Sequence, residues 1–235
     1  GFLLQYPNGL IIDEAQNLPE LFSALQVVVD EHKDYRYILS GSSDFLLMQN
    51  ISQTLAGRVA VTRLLPLSIS ELKEDANIDT NTLMWKGFYP GVWGDGKDPG
   101  NVYDSYVSTY LQRDVRQILN IKDLSLFQKF LTIVASRVGN VFIASSIASE
   151  LGVDYKTIQS WMSILETSYT AFLLQPFHRN IGKRMTKTPK VYFYDVGLVC
   201  HLLGIENEQH IKNHPLRGAI FENMVVCEML KKRYN

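Results

Sequence analysis

The chain has 235 residues, 46% hydrophobic and 20% charged, which suits a globular protein with enough length for one large or two small cores. A net charge of −1 excludes a uniformly basic nucleic-acid binder but leaves room for a local basic patch, and 15 glycines, 8 prolines and 11% aromatics exclude a disordered or collagen-like chain. Two cysteines, Cys200 and Cys227, are too few for a disulfide scaffold. No apolar run approaches the roughly 20 residues of a membrane span, and Gly1-Phe2-Leu3-Leu4 lacks the basic start of a signal peptide. The expectation is a soluble, cytoplasmic protein with no membrane partner.

Gly1 stands where a native chain would carry Met, and Lys231 to Asn235 follow an amphipathic stretch without a stop signal, so the chain reads as a fragment of a longer one. Gly9-Leu10-Ile11-Ile12 is short and wholly apolar, the pattern of a strand buried on both faces of a parallel sheet. It ends in Asp13-Glu14, and open α/β sheets bind ligands at the carboxyl ends of their strands. Asn17-Leu18-Pro19 caps and opens a helix, with Leu18, Leu21, Phe22, Leu25, Val28 and Val29 on one face. A second strand over Tyr35–Leu39 runs into Ser40-Gly41-Ser42-Ser43, whose polar tip lies beside the acids if the two strands are neighbours.

An apolar run followed by Asp-Glu is a common strand end, but the succession of strings is more specific. Leu10-Ile11-Ile12-Asp13-Glu14-Ala15-Gln16 resembles the Walker B strand of bacterial and archaeal AAA-type ATPases, and Ile38-Leu39-Ser40-Gly41-Ser42-Ser43 resembles their sensor 1 strand. Leu55-Ala56-Gly57-Arg58-Val59, followed by Leu65-Pro66-Leu67-Ser68, is similar to the arginine-bearing segment before the last sheet strand. The resemblance implies ATP and Mg²⁺ as cofactors. Asp13 would hold the metal, Glu14 would activate water, and Ser42 or Ser43 would sense the γ-phosphate. Arg58 would stabilise charge in cis or across a subunit boundary, with a solvated helix-end cation as the alternative.

That family also needs a phosphate loop, G-x-x-x-x-G-K-[ST], ahead of the Walker B strand. Only eight residues precede Gly9. Gly91-Val92-Trp93-Gly94-Asp95-Gly96-Lys97 mimics the spacing, but Asp98 replaces the Ser or Thr and the turn-like Phe88-Tyr89-Pro90 replaces a leading strand. The chain therefore keeps hydrolytic residues without the cradle for triphosphate, and by itself is expected to bind ATP poorly or not at all.

Val102–Leu119 and Phe127–Val138 read as amphipathic helices. Ser145 to Trp161 follows with helix-turn-helix spacing: Ala148 lets two helices approach, Gly152 permits the turn, and Ile158 and Trp161 pack the second helix. Thr170–Phe177 and Val191–Tyr194 read as the strands of a wing. Between them Arg179, Lys183, Arg184, Lys187 and Lys190 occur with no acid, a layout for DNA phosphates. The alternative is a loop that the charges merely solvate, on a domain used for packing. His178 and His201 have no companions at metal-ligand spacing.

Gly218–Leu230 resembles the first long helix of the restriction-endonuclease-like domain found at the C-terminus of such ATPases, with Glu222 at the metal-binding glutamate; the alternative is an exposed helix charge. The expected fold is α/β, with a partial P-loop-type parallel sheet (an AAA core fragment), a mostly helical winged-helix domain, and the start of an α/β C-terminal domain. The boundaries fall at 1–67 for the partial core, 68–100 for a helical linker or lid, 101–195 for the winged helix and 196–235 for the nuclease-like opening. The parent is expected to hydrolyse ATP with Mg²⁺ to remodel a nucleic acid or a protein partner, with homo-oligomers possible. The alternative is a non-enzymatic winged-helix module that binds DNA or protein.

Overall fold

Leu10–Ile12 form β1 and Tyr37–Leu39 form β2, paired in parallel with Leu10 opposite Tyr37, Ile11 opposite Ile38 and Ile12 opposite Leu39. Parallel neighbours need a crossover, and α1, Pro19–Glu31, supplies it. The computed structural model describes residues 1–41, 44–72, 78–111, 124–177 and 187–234, and it divides into two compact units, Gly1–Arg63 and Leu64–Asn235.

In the first unit, Phe22, Leu25 and Val28 of α1 form a core with Ile51 of α2, Asp44–Thr54, and with Leu3, Ala15 and Leu55; Leu10, Ile12, Tyr37 and Leu39 lean on it. The strands are covered on one face only, not on both as their apolar runs suggest. Ile11 and Ile38, side by side in register, are 70% and 62% exposed, because alternate residues point away from the helices. Helix α1 also starts one residue later than the capping pattern suggests. Ala15–Asn17 form a single tight turn closed by the Leu18 N–H on the Ala15 carbonyl, so Leu18, half exposed and without a capping side chain, precedes Pro19 at the first helical position.

The second unit begins with helices α3, Thr80–Lys86, α4, Pro90–Trp93, and α5, Pro99–Ser105. Gly91 of the phosphate-loop mimic lies inside α4, and Asp98 caps α5 through the Asn101 N–H at 3.1 Å. The helix expected over Val102–Leu119 begins earlier, at this cap, and widens into a π-type turn at Tyr106–Leu111; residues 112–123 lie outside the described residues.

Next come α6, Leu124–Ser136, α7, Ala144–Leu151, and α8, Tyr155–Thr167. Gly152 ends α7 with φ 67°, a conformation that costs other residues a Cβ clash, and Asp154 caps α8 through the Lys156 N–H at 2.7 Å. An antiparallel hairpin follows, β3, Ala171–Leu174, with β4, Lys190–Phe193, and Val141 adds a bridge to Lys190. Phe127 and Phe130 meet Trp161 with ring centroids 5.4 and 5.3 Å apart, fixing α6 on α8.

Helices α9, Val196–Leu202, α10, Glu208–Lys212, and α11, Arg217–Tyr234, complete the unit. One apolar core runs from Leu72, Met84 and Phe88 through Phe127, Ile158 and Phe193 to Ile220 and Met224, so the segment limits expected at 100/101 and 195/196 fall within it. Among the described residues two charges are sealed inside. Asp195, 1% exposed, accepts hydrogen bonds from the Tyr103 hydroxyl at 2.6 Å and from the N–H groups of Phe88 at 2.7 Å and Leu198 at 3.0 Å. Lys231, 2% exposed, donates to the Leu67 carbonyl at 2.7 Å and to Glu228 at 2.9 Å, and lies 4.1 Å above the Phe88 ring. Cys200 and Cys227 are free and buried. No helix among the described residues is long and apolar enough to cross a membrane.

Candidate functional site

The parallel register places the residues after Ile12 and Leu39 side by side. The Ser40 N–H donates to the Ile12 carbonyl at 2.9 Å, and the Ser40 carbonyl accepts from the Ala15 N–H at 3.0 Å. Beyond the last strand pair, the Ser40 hydroxyl donates to Oδ1 of Asp13, which also accepts the Glu14 N–H at 3.0 Å. Asp13 is exposed at the carboxyl end of β1, and among the described residues no donor reaches its Oδ2.

Glu14 is half-buried and takes the left-handed conformation at φ 51°. Such a backbone costs a non-glycine residue on the order of 1–2 kcal/mol, and the tight turn after β1 imposes it. Its Oε2 accepts a hydrogen bond from the Gln16 amide Nε2 at 2.5 Å. The Gln16 carbonyl Oε1 is buried without a hydrogen-bond partner, a state that costs about 1–3 kcal/mol. It lies against Gly41, where a Cβ would stand only 2.2 Å from it, so a larger residue at that position would have to displace the Gln16 amide.

A hard divalent cation takes oxygen ligands and, when it is Mg²⁺, usually keeps several waters beside one or two carboxylates. One exposed carboxylate, oriented by a serine and with an oxygen to spare, fits that use. Among the described residues no group of three or more His, Cys, Asp or Glu forms a closed metal cage.

The other expected site residues are placed as follows. Ser42 and Ser43 lie outside the described residues. Arg58 makes a two-pronged pair with Asp30, Nε to Oδ1 at 2.8 Å and Nη2 to Oδ2 at 2.9 Å, and this pair holds the Asp30 carboxyl below its usual range. Asp30 sits near the end of α1, roughly 16 Å of helix axis from its start, so Arg58 is committed to the C-terminal end of that helix.

Of the basic residues, Arg179, Lys183 and Arg184 lie outside the described residues, together with His178; Lys187 is exposed. Lys190 is committed to Glu222 at 2.9 Å. Glu222 also accepts the Tyr192 hydroxyl at 2.5 Å, and these two bonds hold its carboxyl below the usual range while fastening α11 to β4. His201 pairs with Asp104 at 3.3 Å. On α8, Tyr155, Lys156, Gln159 and Ser163 are exposed.

The sequence reading sets the Ser40–Ser43 tip beside the acids if the strands are neighbours, and Ser40 does meet Asp13 there, but it singles out neither Ser40 nor Gln16 as a site residue. Ser40 was accessible in principle, since extending the strand register by one step sets it opposite Asp13. Nothing in the local pattern marks Gln16.

Residues 2–73 match a family model described as an AAA domain, and residues 78–209, more than half of the chain, match one described as a domain of unknown function, DUF8612. The chain belongs to the DUF8612 family. In this member the DUF8612 portion runs from the segment before α3 to the start of α10, and the AAA-type portion ahead of it holds Asp13, Glu14 and Ser40. The chain is 31% identical over 226 residues to uncharacterised proteins of Mycobacterium bovis and Mycobacterium tuberculosis, covering 94% of this chain and 51% of each relative. An uncharacterised protein of Haemophilus influenzae is 22% identical over 214 residues, covering 84% of this chain and 52% of the relative. The chain thus spans about half the length of the curated relatives it matches.

Proposed function

We propose that the AAA-type portion carries the hydrolytic side of an ATP site and that the full-length gene product uses Mg²⁺-dependent ATP hydrolysis to remodel a nucleic acid or a protein partner. One observation carries this reading: Ser40 and Asp13 are joined at the carboxyl ends of adjacent parallel strands, with Glu14 next in the chain, inside the segment that matches an AAA domain. Asp13 would hold Mg²⁺, with Ser40 orienting its carboxylate, and Glu14 would orient the attacking water and take its proton. Bound Mg²⁺ would neutralise charge developing on the phosphates. Arg58, held by Asp30, enters this proposal only across a subunit boundary of a homo-oligomer.

No G-x-x-x-x-G-K-[ST] string occurs in the 235 residues, so this chain alone is expected to show no ATP turnover above background. In the full-length gene product, Glu14→Gln keeps the size of the side chain but cannot polarise water. It is expected to lower turnover by about 100-fold or more while ATP binding persists. Turnover at the wild-type rate would remove Glu14 from the chemistry.

A second reading concerns residues 124–193. Three helices followed by a hairpin, with Tyr155, Lys156 and Gln159 exposed on α8, support a winged helix that docks DNA. Duplex DNA is then expected to bind at low salt with steep salt dependence. Replacing Lys183, Arg184 and Lys187 together by Ala should flatten the slope by about three units. Absence of binding at low salt, or an unchanged slope, would leave protein remodelling as the stronger reading.

A further inference from the structure

The geometry points to Gln16 as the residue that positions Glu14, and to Gly41 as the residue that positions Gln16; this inference rests on the ATP-hydrolysis reading above. The amide of Gln16 has two possible orientations. With Nε2 toward Glu14 it donates to the carboxylate at 2.5 Å, and its carbonyl is then buried with no partner. The reverse orientation would press a carbonyl oxygen against a carboxylate. The observed arrangement therefore keeps the bond to Glu14 at the expense of a buried acceptor left unmet, in a structure where that acceptor is the one such side-chain atom among the described residues.

The carbonyl end is fixed as tightly. Gly41 lies so close behind Oε1 that a Cβ there would stand 2.2 Å from it and 3.1 Å from the amide carbon. Gln16 is 8% exposed, so its side chain is enclosed rather than free in solvent. The consecutive residues Ser40 and Gly41 at the end of β2 consequently set both acids. Ser40 holds Asp13 directly, and Gly41 holds Glu14 through Gln16. A carboxylate that orients water gains from this, since small misplacements of a reacting group cost rate while leaving substrate binding alone.

Two measurements test the assignment. In the 235-residue chain, the side-chain NH₂ pair of Gln16, identified by its loss in Gln16→Met, is expected to show one proton shifted downfield in a ¹H–¹⁵N spectrum. Glu14→Ala should return that proton to the position of an exposed glutamine, and Gly41→Ala should do the same without touching Glu14. A wild-type pair at the ordinary position, or one that ignores Glu14→Ala, overturns the assignment whatever the protein hydrolyses. In the full-length gene product, Gln16→Met should lower kcat on the order of 10- to 100-fold with KM for ATP changed less than about 2-fold. If Glu14→Gln abolishes turnover and Gln16→Met leaves kcat intact, the positioning role alone is overturned. If Glu14→Gln has no effect, the hydrolytic reading falls and takes the positioning role with it.

Discussion

The two units of this chain treat their polar groups in opposite ways. Among the described residues of 64–235 the charges that leave water are saturated: Asp195 accepts three hydrogen bonds, and Lys231 meets a carbonyl, a carboxylate and an aromatic face. In residues 1–63 the polar groups that matter are left with valence to spare. Asp13 is exposed with one oxygen unbonded among the described residues, Gln16 has an unmet carbonyl, and Glu14 sits on left-handed backbone. Saturated groups hold a fold together, because removing one partner strands the other in a low dielectric. Unsaturated groups at a strand end are what a ligand can complete. Under the function proposed above, the larger unit supplies architecture and the smaller supplies chemistry.

Mutational stability offers the sharpest way to break that comparison. Lys231→Met strands the Leu67 carbonyl and leaves Glu228 with the Ile69 N–H and no cation, and is expected to cost the unit about 3 kcal/mol. Asp195→Asn must turn its NH₂ toward either Phe88 N–H or the Tyr103 and Leu198 donors, leaving at least one buried donor unmet at about 2 kcal/mol. Asp13→Asn retains the oxygen that Ser40 and Glu14 use and should change stability by less than about 0.5 kcal/mol. Denaturant melts of the three variants give the check. A large loss in Asp13→Asn, or none in Lys231→Met, would erase the division of roles.

The same division explains what the sequence could reveal. Periodicity located α1, α6, α8 and both strand pairs, since apolar spacing is a local property. The Asp13-Glu14 pair was legible because two acids interrupt an apolar run. The bare outer face of β1 was not legible, because Leu10-Ile11-Ile12 reads the same whether one face or two are covered. Nor were Asp195 and Lys231. Asp195 sits at the end of an aromatic strand like any helix cap, and Lys231 opens the run Lys231-Lys232-Arg233 that composition assigns to solvent. Their partners, Tyr103, Phe88 and Leu67, are more than 90 residues away in the chain, so only the tertiary fold pairs them. Lys190 shows the converse, since its place in a basic run hides its pairing with Glu222.

The thiols report on how tightly the larger unit is closed. Burial pushes the Cys227 thiol up to about 12 and raises that of Cys200 as well. Thiolates react, and buried thiols lack both charge and access. Neither cysteine is expected to react with a water-soluble disulfide reagent in the native protein, and both should react after unfolding in guanidinium. Lys231→Met should speed the reaction of Cys227 on the order of 100-fold, in proportion to the larger population of open protein. Fast labelling of the unmutated chain would show that this core is not the sealed structure that saturates Asp195 and Lys231.

The smallest expected effect tests whether saturation matters at the rim of the larger unit. Glu71 accepts from the Ser68 N–H and from the Ser68 hydroxyl, both at 2.7 Å, a reciprocal cap on the short turn Ile69–Glu71. The backbone bond foremost, then the hydroxyl, holds its carboxyl below the ordinary 4.5. A carboxyl lowered in the folded state adds stability that is complete above 4.5 and fades as pH falls through its folded value. Because Glu71 is exposed, solvent screens the gain to a few tenths of a kcal/mol. Glu71→Gln should therefore lower stability slightly at pH 7 and make the decline between about pH 5 and 3 shallower than in the unmutated chain. Parallel stability curves over that window would mean that the turn is held by the neighbouring Lys231–Leu67 and Glu228–Ile69 bonds, and that saturation in this unit is decisive only where water is excluded.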